Sequence, residues 1–468
     1  MKKNIVIFIA FSLLTTTGQA KELVQTDHYD LSKIELLDLQ KAQRIALQDN
    51  PGIGAAQARL EQAKAALQRA LAANKPRVDA DASTGLSRYS DKTYDGISLS
   101  QPSADQHYEV GSLGLRASWL LFDGYARKFQ QEQRRYALEA SVANIKNTQR
   151  VLVSAVADAF FNAQLALAAI EIATANKDFY KRQLQDAESR REVGSGSLSD
   201  VLNMKVQLNS AENSLLSSQR DYEAARYALA ALLGITDAVL PKDIQLAVLD
   251  KDCDISAQKN LSDGNKLIQE ALQARPDLKT LALQMKEAES GIEQAKSGDW
   301  PTVQLTGQVN GNTQDGLVPR EEDVAASVGL NVKWNLYSGG AVDAAVLEAR
   351  QAKRAAKYAY AELRNSIAAE VWQGIVRLAA AREQVSLQRK TLALVEKNRK
   401  LAKSEYEAGS ASLVRLNEAQ RDLTATYGRL VQALVSYHQA RHHLLAALGR
   451  DFALLSPSQK KQAVTTDQ

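Results

Sequence analysis

Between Ala126 and Val193 the chain runs 68 residues without a proline or a glycine. Leu138, Val142, Ile145, Leu152, Val156, Phe160, Ala163, Leu167 and Ile170 recur there at steps of three, four or seven. That is the period of a helix face, not of a strand. At 1.5 Å per residue such a helix is roughly 100 Å long. A rod of that length is stable in water only when other long helices cover its apolar stripe. Gly194-Ser195-Gly196 ends it and can turn the chain sharply.

The same feature occurs twice. Ala341 to Ala408 is also 68 residues long, has no proline, contains only Gly374, and stops at Gly409. The offset between the two is 215. It carries Trp119-Leu120-Leu121-Phe122-Asp123-Gly124 onto Trp334-Asn335-Leu336-Tyr337-Ser338-Gly339, and Leu232-Leu233-Gly234 onto Ala447-Leu448-Gly449. Upstream, Pro51 and Pro76 map onto Pro276 and Pro301 at an offset of 225, so the first copy holds ten more residues between Pro76 and Trp119. A fixed self-similarity of this kind means one body made of two copies, although 468 residues alone suggest two or three domains.

Those inserts are where the period falls from 3.6 to 2. Val303, Leu305, Gly307 and Val309 alternate with polar residues, as do Val328, Leu330, Val332 and Trp334. The first copy repeats the pattern with Val78, Ala80, Ala82 and Leu86, then Leu113, Leu115, Ala117 and Trp119. Each pair reads as a hairpin of about ten-residue strands, one face apolar and one polar, the dyad pattern of a membrane barrel wall. Tyr89, Trp119, Trp334 and Tyr337 near the strand ends suit a bilayer interface. A soluble, half-buried hairpin is the alternative. Four strands cannot close a barrel, and an open edge in lipid leaves backbone groups unpaired, so in a membrane several chains must pool their strands. The tips, 90–106 and 314–323, are polar and turn-rich.

After each glycine turn a second helix runs back. Val201, Leu208, Leu215, Tyr222 and Leu229 fall every seven residues, and their twins are Leu416, Leu423, Leu430, Tyr437 and Leu444. Three residues on lies a second seam of smaller residues, Met204, Ala211, Ser218, Ala225 and Leu232, with twins Ala419, Thr426, Ala433, Ala440 and Ala447. Seven-residue seams are coiled-coil seams, and two per helix suit a curved wall of helices.

The fold class is therefore mainly α with a small β part. The first repeat is expected at 39–234, with hairpin 76–122, long helix 126–193 and return helix 197–233. The second is expected at 264–449, with hairpin 301–337, long helix 341–408 and return helix 411–448. Residues 235–263 connect them as a small side structure, 21–38 reads as a loose extended lead-in, and 450–468 as a polar tail.

Residues 1–20 read as a secretory signal: Lys2 and Lys3, an apolar stretch from Ile5 to Leu14, and Gly18-Gln19-Ala20 for cleavage. The next residue is Lys21 and not cysteine, so no lipid attachment is expected there. No other stretch reaches 18 uninterrupted apolar residues, the length of a transmembrane helix. The net charge of +4, interleaved along helices, does not argue for nucleic acid. Cys253 is the only cysteine, so no intrachain disulfide can form, and it reads as a passive thiol.

No phosphate-cradling loop, zinc spacing or nucleophile motif occurs, so no catalytic residue, cofactor or metal is expected. His438 and His442 are four apart and could share a metal, but their twins are Glu223 and Tyr227 and no third ligand is evident. Solvated histidines on a helix face are the expectation. Asp158 and Glu171 read as solubilising or lumen-lining carboxylates.

Taken together, these residues resemble the TolC-like outer-membrane factors, the exit ducts of tripartite exporters. The resemblance covers nearly the whole mature chain. It is carried by the tandem helix–hairpin–helix halves, the strand exits at Trp119–Gly124 and Trp334–Gly339, and two turns. These are Arg191-Glu192-Val193-Gly194 through Asp200-Val201-Leu202, and Tyr406-Glu407-Ala408-Gly409 through Gln420. It implies a homotrimer whose chains each give four strands to a 12-stranded outer-membrane β-barrel and long coiled coils to an α-barrel crossing the periplasm. It implies a passive duct for type I protein secretion or small-molecule efflux, without catalysis. Its partners would be a periplasmic adaptor, an inner-membrane ABC or RND pump, and outer-membrane lipid of a Gram-negative bacterium.

The resemblance also implies site residues. Gly194 and Gly409 would sit at the tips that meet the adaptor. Asp200 and Tyr406 match the polar contacts that hold such mouths closed, as a carboxylate–phenol hydrogen bond. The offset twin of Asp200 is Arg415, where an acidic residue would suit a cation-selective ring. The expectation is a mixed ring, with Glu418 lumenal and Arg415 paired to a neighbouring carboxylate. The turn Leu413-Val414-Arg415-Leu416-Asn417 resembles the protein-secretion branch. The rival to a duct is a periplasmic coiled-coil adaptor or scaffold without a pore, which has no need of twin hairpins.

Overall fold

The structure is a computed structural model that describes residues 34–88, 90, 91, 93, 107–255, 263–313 and 319–450. The expected signal peptide, the C-terminal tail beyond 450, Tyr89, most of the first hairpin tip and residues 314–318 of the second lie outside the described residues.

Two helices dominate it: α3, Ala126–Glu192, and α7, Ala341–Glu407, each 67 residues. Each ends where a glycine takes the left-handed backbone that L side chains avoid, Gly194 at φ +77° and Gly409 at φ +74°. The return helices are α4, Leu198–Leu233, and α8, Leu413–Ala447. Upstream of each hairpin stands a broken pair: α1, Leu39–Asp49, with α2, Pro51–Ala72, and α5, Gly264–Ala274, with α6, Pro276–Lys296. The breaks share one cause. The residue before a proline is pushed into extended backbone, and Asn50 (ψ 124°) and Arg275 (ψ 123°) both comply.

The wall has four lanes at each level. Near the turns they run α4, α3, α8, α7; towards the sheet they run α2, α3, α6, α7. The long helices pass through both levels, and the short pairs stack on the ends of the return helices. Asn50 Nδ2 donates to the Leu232 carbonyl at 2.8 Å where α4 meets the α1–α2 break. Gly374 sits inside α7 because a Cβ there would come within 3.0 Å of Leu444 Cδ1 on α8.

In α4 the residues of both seams are covered: Val201, Met204, Ala211 and Leu229 are buried, and Leu208, Leu215, Ser218, Tyr222, Ala225 and Leu232 half-buried. The stripe of α3 departs from a straight line. Leu152, Val156, Phe160 and Ala163 are buried, yet Val142 is 43% exposed while Ala140 and Ala143 are buried. A straight 3.6 period drifts against its partners over so many turns, and the covered face moves on to small residues beside α2 and α6.

The four-stranded antiparallel sheet runs β2–β3–β5–β6, with β2 Arg77–Arg88, β3 His107–Asp123, β5 Thr302–Thr313 and β6 Val324–Lys333. Register puts Val78 opposite Ala117, Leu115 opposite Val309, and Leu305 opposite Leu330, all on one face. Asp79 opposite Arg116, and Gln304 opposite Asn331, share the other. A bulge between Leu120 and Phe122 sets Phe122 opposite Val303. On their outer sides the edge strands β2 and β6 have no second strand partner among the described residues, and every residue of β6 is exposed.

Twin indoles join sheet to helices. Trp119 Nε1 donates to the Asn74 carbonyl and Trp334 Nε1 to the Asp299 carbonyl, each at 3.0 Å.

The lead-in is not loose throughout. A short strand β1, Leu36–Leu37, pairs in parallel with β4, Gln245–Leu246, in the segment between the repeats. Leu37 is fully buried, and Leu240, Ile244, Leu246 and Leu249 share its core with Phe160 and Leu229. Two-residue strands are too short to show a period, so this pairing is set by long-range burial.

Candidate functional site: the inner mouth and the free edges

Both turns hold tightly wound backbone. Ser195 and Gly196 donate to the Arg190 carbonyl at 2.9 Å, and Ser410 donates to that of Glu405 at 2.8 Å. Ser197 and Ser412 then cap the return helices with their hydroxyls. A Cβ on Gly194 or Gly409 would meet only open space, so backbone conformation alone requires glycine there.

Above the turns a small core gathers Phe179, Tyr180, Val201, Met204, Leu413 and Leu416, with Tyr406 packed against it. Among the described residues no hydrogen bond joins Asp200 to Tyr406, contrary to expectation. The Arg190 guanidinium lies over the Tyr406 ring, 4.8 Å from its centroid, and is held by Asp186 at 3.3 Å. The guanidinium meets the ring face, so the contact shown here is cation–π and not a carboxylate–phenol bond. Burial pushes the Tyr406 hydroxyl pKa up; Arg190 opposes this, and Asp186 and Asp200 add to it. Arg415 reaches Glu405 at 3.4 Å. Glu418 is exposed on α8 and has no ion pair among the described residues.

A polar layer, not anticipated from sequence, lies between the two coiled coils. Gln420 Nε2 and the Thr424 hydroxyl donate to Asn176 Oδ1 at 3.3 and 3.1 Å, and Arg399 Nε donates to Gln420 Oε1 at 3.2 Å. Arg399 also lies over the Phe179 ring at 5.2 Å. Asn417 and Gln420 each sit one residue after a seam position, outside both seven-residue seams of α8, yet both are buried.

The histidines are not the solvated set that was expected. His438 stacks on Phe161 at 5.2 Å between centroids and 13° between planes, and His442 lies at 5.4 Å from the same ring. Both are half-buried, because α8 packs on α3 at that level. Only His443 is exposed, paired with Asp158 at 3.0 Å. Glu171 pairs with Lys251 at 3.3 Å.

The lower edge helices carry exposed apolar residues: Leu198, Leu202, Leu216 and Tyr227 on α4, and Val376, Leu387 and Leu394 on α7. An amphipathic sheet with two open edges, on a wall of helices with two apolar flanks, defines a subunit of a hollow membrane assembly.

The chain belongs to the outer membrane efflux protein family, whose model matches residues 43–235 and 267–450. It is 31% identical over 264 residues to the outer membrane protein TolC of Vibrio cholerae; that match covers 54% of this chain and 53% of TolC, so the chain spans about half the length of that relative. It is 25% identical over 443 residues to the solvent efflux pump outer membrane protein SrpC of Pseudomonas putida, covering 94% of this chain and 88% of SrpC. Crystal structures of CusC superpose with a TM-score of 0.74 at 21% identity, covering 89% of this chain and 94% of that one. The chain is thus a member of an outer-membrane efflux family, and none of these relatives supports a pore-less adaptor.

Proposed function

We propose that three copies close into one passive duct, twelve strands through the outer membrane and a continuous ring of helices below it. Repeats 39–234 and 264–449 serve as its two quasi-equivalent units. One observation carries this reading. Exposed apolar residues on each free edge are the 215-offset twins of residues buried inside the chain. Val376 and Leu394 on α7 match Phe161 and Phe179, which are 6% and 4% exposed on α3. Leu198 and Leu216 on α4 match Leu413 and Val431, which are 7% and 2% exposed on α8. Helix α7 of one copy can therefore dock on α4 of the next much as α3 docks on α8 within a chain. Edge strands β6 and β2 meet in the same step, which removes the unpaired edges that lipid does not tolerate.

In this reading Asp200, Tyr406, Arg415 and Glu418 surround the inner mouth. The tips at Gly194 and Gly409 meet a periplasmic adaptor, and an inner-membrane ABC or RND pump supplies the energy. Neither catalysis nor a cofactor is involved. Residues 1–20 direct export and are removed. The resemblance of the second turn favours a protein substrate of type I secretion; efflux of small molecules is the other use of such a duct, and SrpC by its name serves solvent efflux.

The test is the mass of the detergent-extracted particle together with its conductance in planar bilayers. A trimer-sized particle with discrete conductance is expected, and a well-folded monomer without conductance refutes the proposal. Comparing exported proteins with solvent and drug sensitivity in a deletion strain separates the two substrates.

A further inference from the structure

We propose that Arg69 of one copy forms an ion pair with Glu348 of the next, and that this pair sets the register of the assembly below the membrane. The inference rests on the ring of copies above and adds the residues that join them. A groove of about 630 Å³ runs between α2 and α3, with Arg59, Arg69 and Arg134 above a floor that includes Ala63, Ala66 and Ala137. Among the described residues none of the three guanidinium groups has an ion pair, which leaves the outer flank of α2 basic.

The occupant follows from the repeat. Inside the chain, α3 packs on α6 and joins it by a hydrogen bond from Gln133 Nε2 to Gln294 Oε1. The offset of 215 carries Gln133 to Glu348 on α7, and the offset of 225 carries Gln294 back to Arg69 on α2. Among the described residues α2 and α7 are the upper-level helices at the ends of the wall, so α7 of a second copy fills the lane beside α2. The amide–amide contact within a chain then becomes carboxylate–guanidinium between chains. Glu348 is exposed and has no partner among the described residues. A Cβ on Gly291 would lie 4.0 Å from Gln133 Nε2, an ordinary contact, and the twin of Gly291 is Ala66, so the close approach survives.

The other polar contacts at this level do not transfer. Lys286 lies over the Tyr136 ring at 5.9 Å, and its twins are Glu61 and Gln351. Arg134 acts on Glu287, and their twins are Ala349 and Gln62. Of these three contacts Gln133–Gln294 is the one whose twin carries opposite charges. A slip by one helical turn would set Ala345 or Ala352 in place of Glu348 opposite Arg69, so the pair forms in one register only.

The experiment uses full-length chain extracted in detergent, in a Cys253→Ser background. The double variant Arg69→Cys/Glu348→Cys, treated with a short bismaleimide, is expected to give covalently linked chains on a denaturing gel; neither single variant should. Charge reversal is the second measurement. Arg69→Glu or Glu348→Arg alone is expected to raise the dissociated fraction at fixed dilution about fivefold, and the double reversal to return it to the starting value. A trimer-sized particle with neither linkage nor rescue overturns this pairing and leaves the ring intact. A well-folded monomer overturns both.

Discussion

Arg190 and Tyr406 illustrate how residues at the mouth depend on what faces them. Asp200, Tyr406, Arg415 and Glu418 were singled out by the resemblance of the two turns. The partner of Tyr406 was not readable, because a seven-residue period locates a face but not which long side chain crosses it. Glu418→Ala is expected to lower the cation preference of single channels with the fold intact; unchanged selectivity would remove Glu418 from the lumen. His442 gives a pH prediction. Burial first, then the charges of Arg441 and His438, lower its pKa from 6.5 to about 4. Between those values the unfolded imidazole binds a proton that the folded one refuses. The stability from His442 is therefore full above the unfolded value and is lost as pH falls towards 4. The thermal midpoint should drop over that window, and His442→Gln should flatten the slope by at most about 1.4 kcal/mol per pH unit.

At the scale of elements, the long helices and paired hairpins were legible because their periods persist over many residues. The β1–β4 pairing was not, because two residues carry no period. The central core where α1, α3 and α4 meet around β1 should be the most sensitive region. Phe160 is 2% exposed, and Phe160→Ala should cost about 3–5 kcal/mol in chemical unfolding. Gly234→Ala combines a positive φ of 85° with a Cβ 2.4 Å from the Asp49 carbonyl oxygen, and should separate α4 from the α1–α2 break. The twin indoles allow a paired comparison. Trp119→Phe and Trp334→Phe each remove one donor, to Asn74 and Asp299, and each should cost about 1 kcal/mol. A marked difference between the two would mean that the repeats do not carry the sheet alike.

The whole molecule is built to be incomplete. Its sheet ends on two bare edges and its helical wall on two apolar flanks, at matched positions in the repeat. Leu394 is 67% exposed in the single chain, so by ordinary reasoning Leu394→Glu would be neutral. Its twin Phe179 is buried, so the substitution is expected to leave circular dichroism unchanged while shifting the particle to monomer, read by native mass. An unaltered trimer would show that the in-chain contact of α3 with α8 is not the template for contact between chains.

Sequence by itself determined the two-copy plan, the rod-like helices, the amphipathic hairpins and the need for partners. All of these rest on period, offset and the absence of helix breakers, properties that survive in one dimension. Only the tertiary structure decided that the lead-in is pinned beside the connecting segment, that Arg190 covers Tyr406, that the histidines pack on Phe161, and that a polar layer of Asn176, Gln420 and Thr424 parts the coiled coils. Each of these is a contact between side chains or strands far apart along the chain. Their energies depend on distance and burial, and neither is defined until the helices are packed.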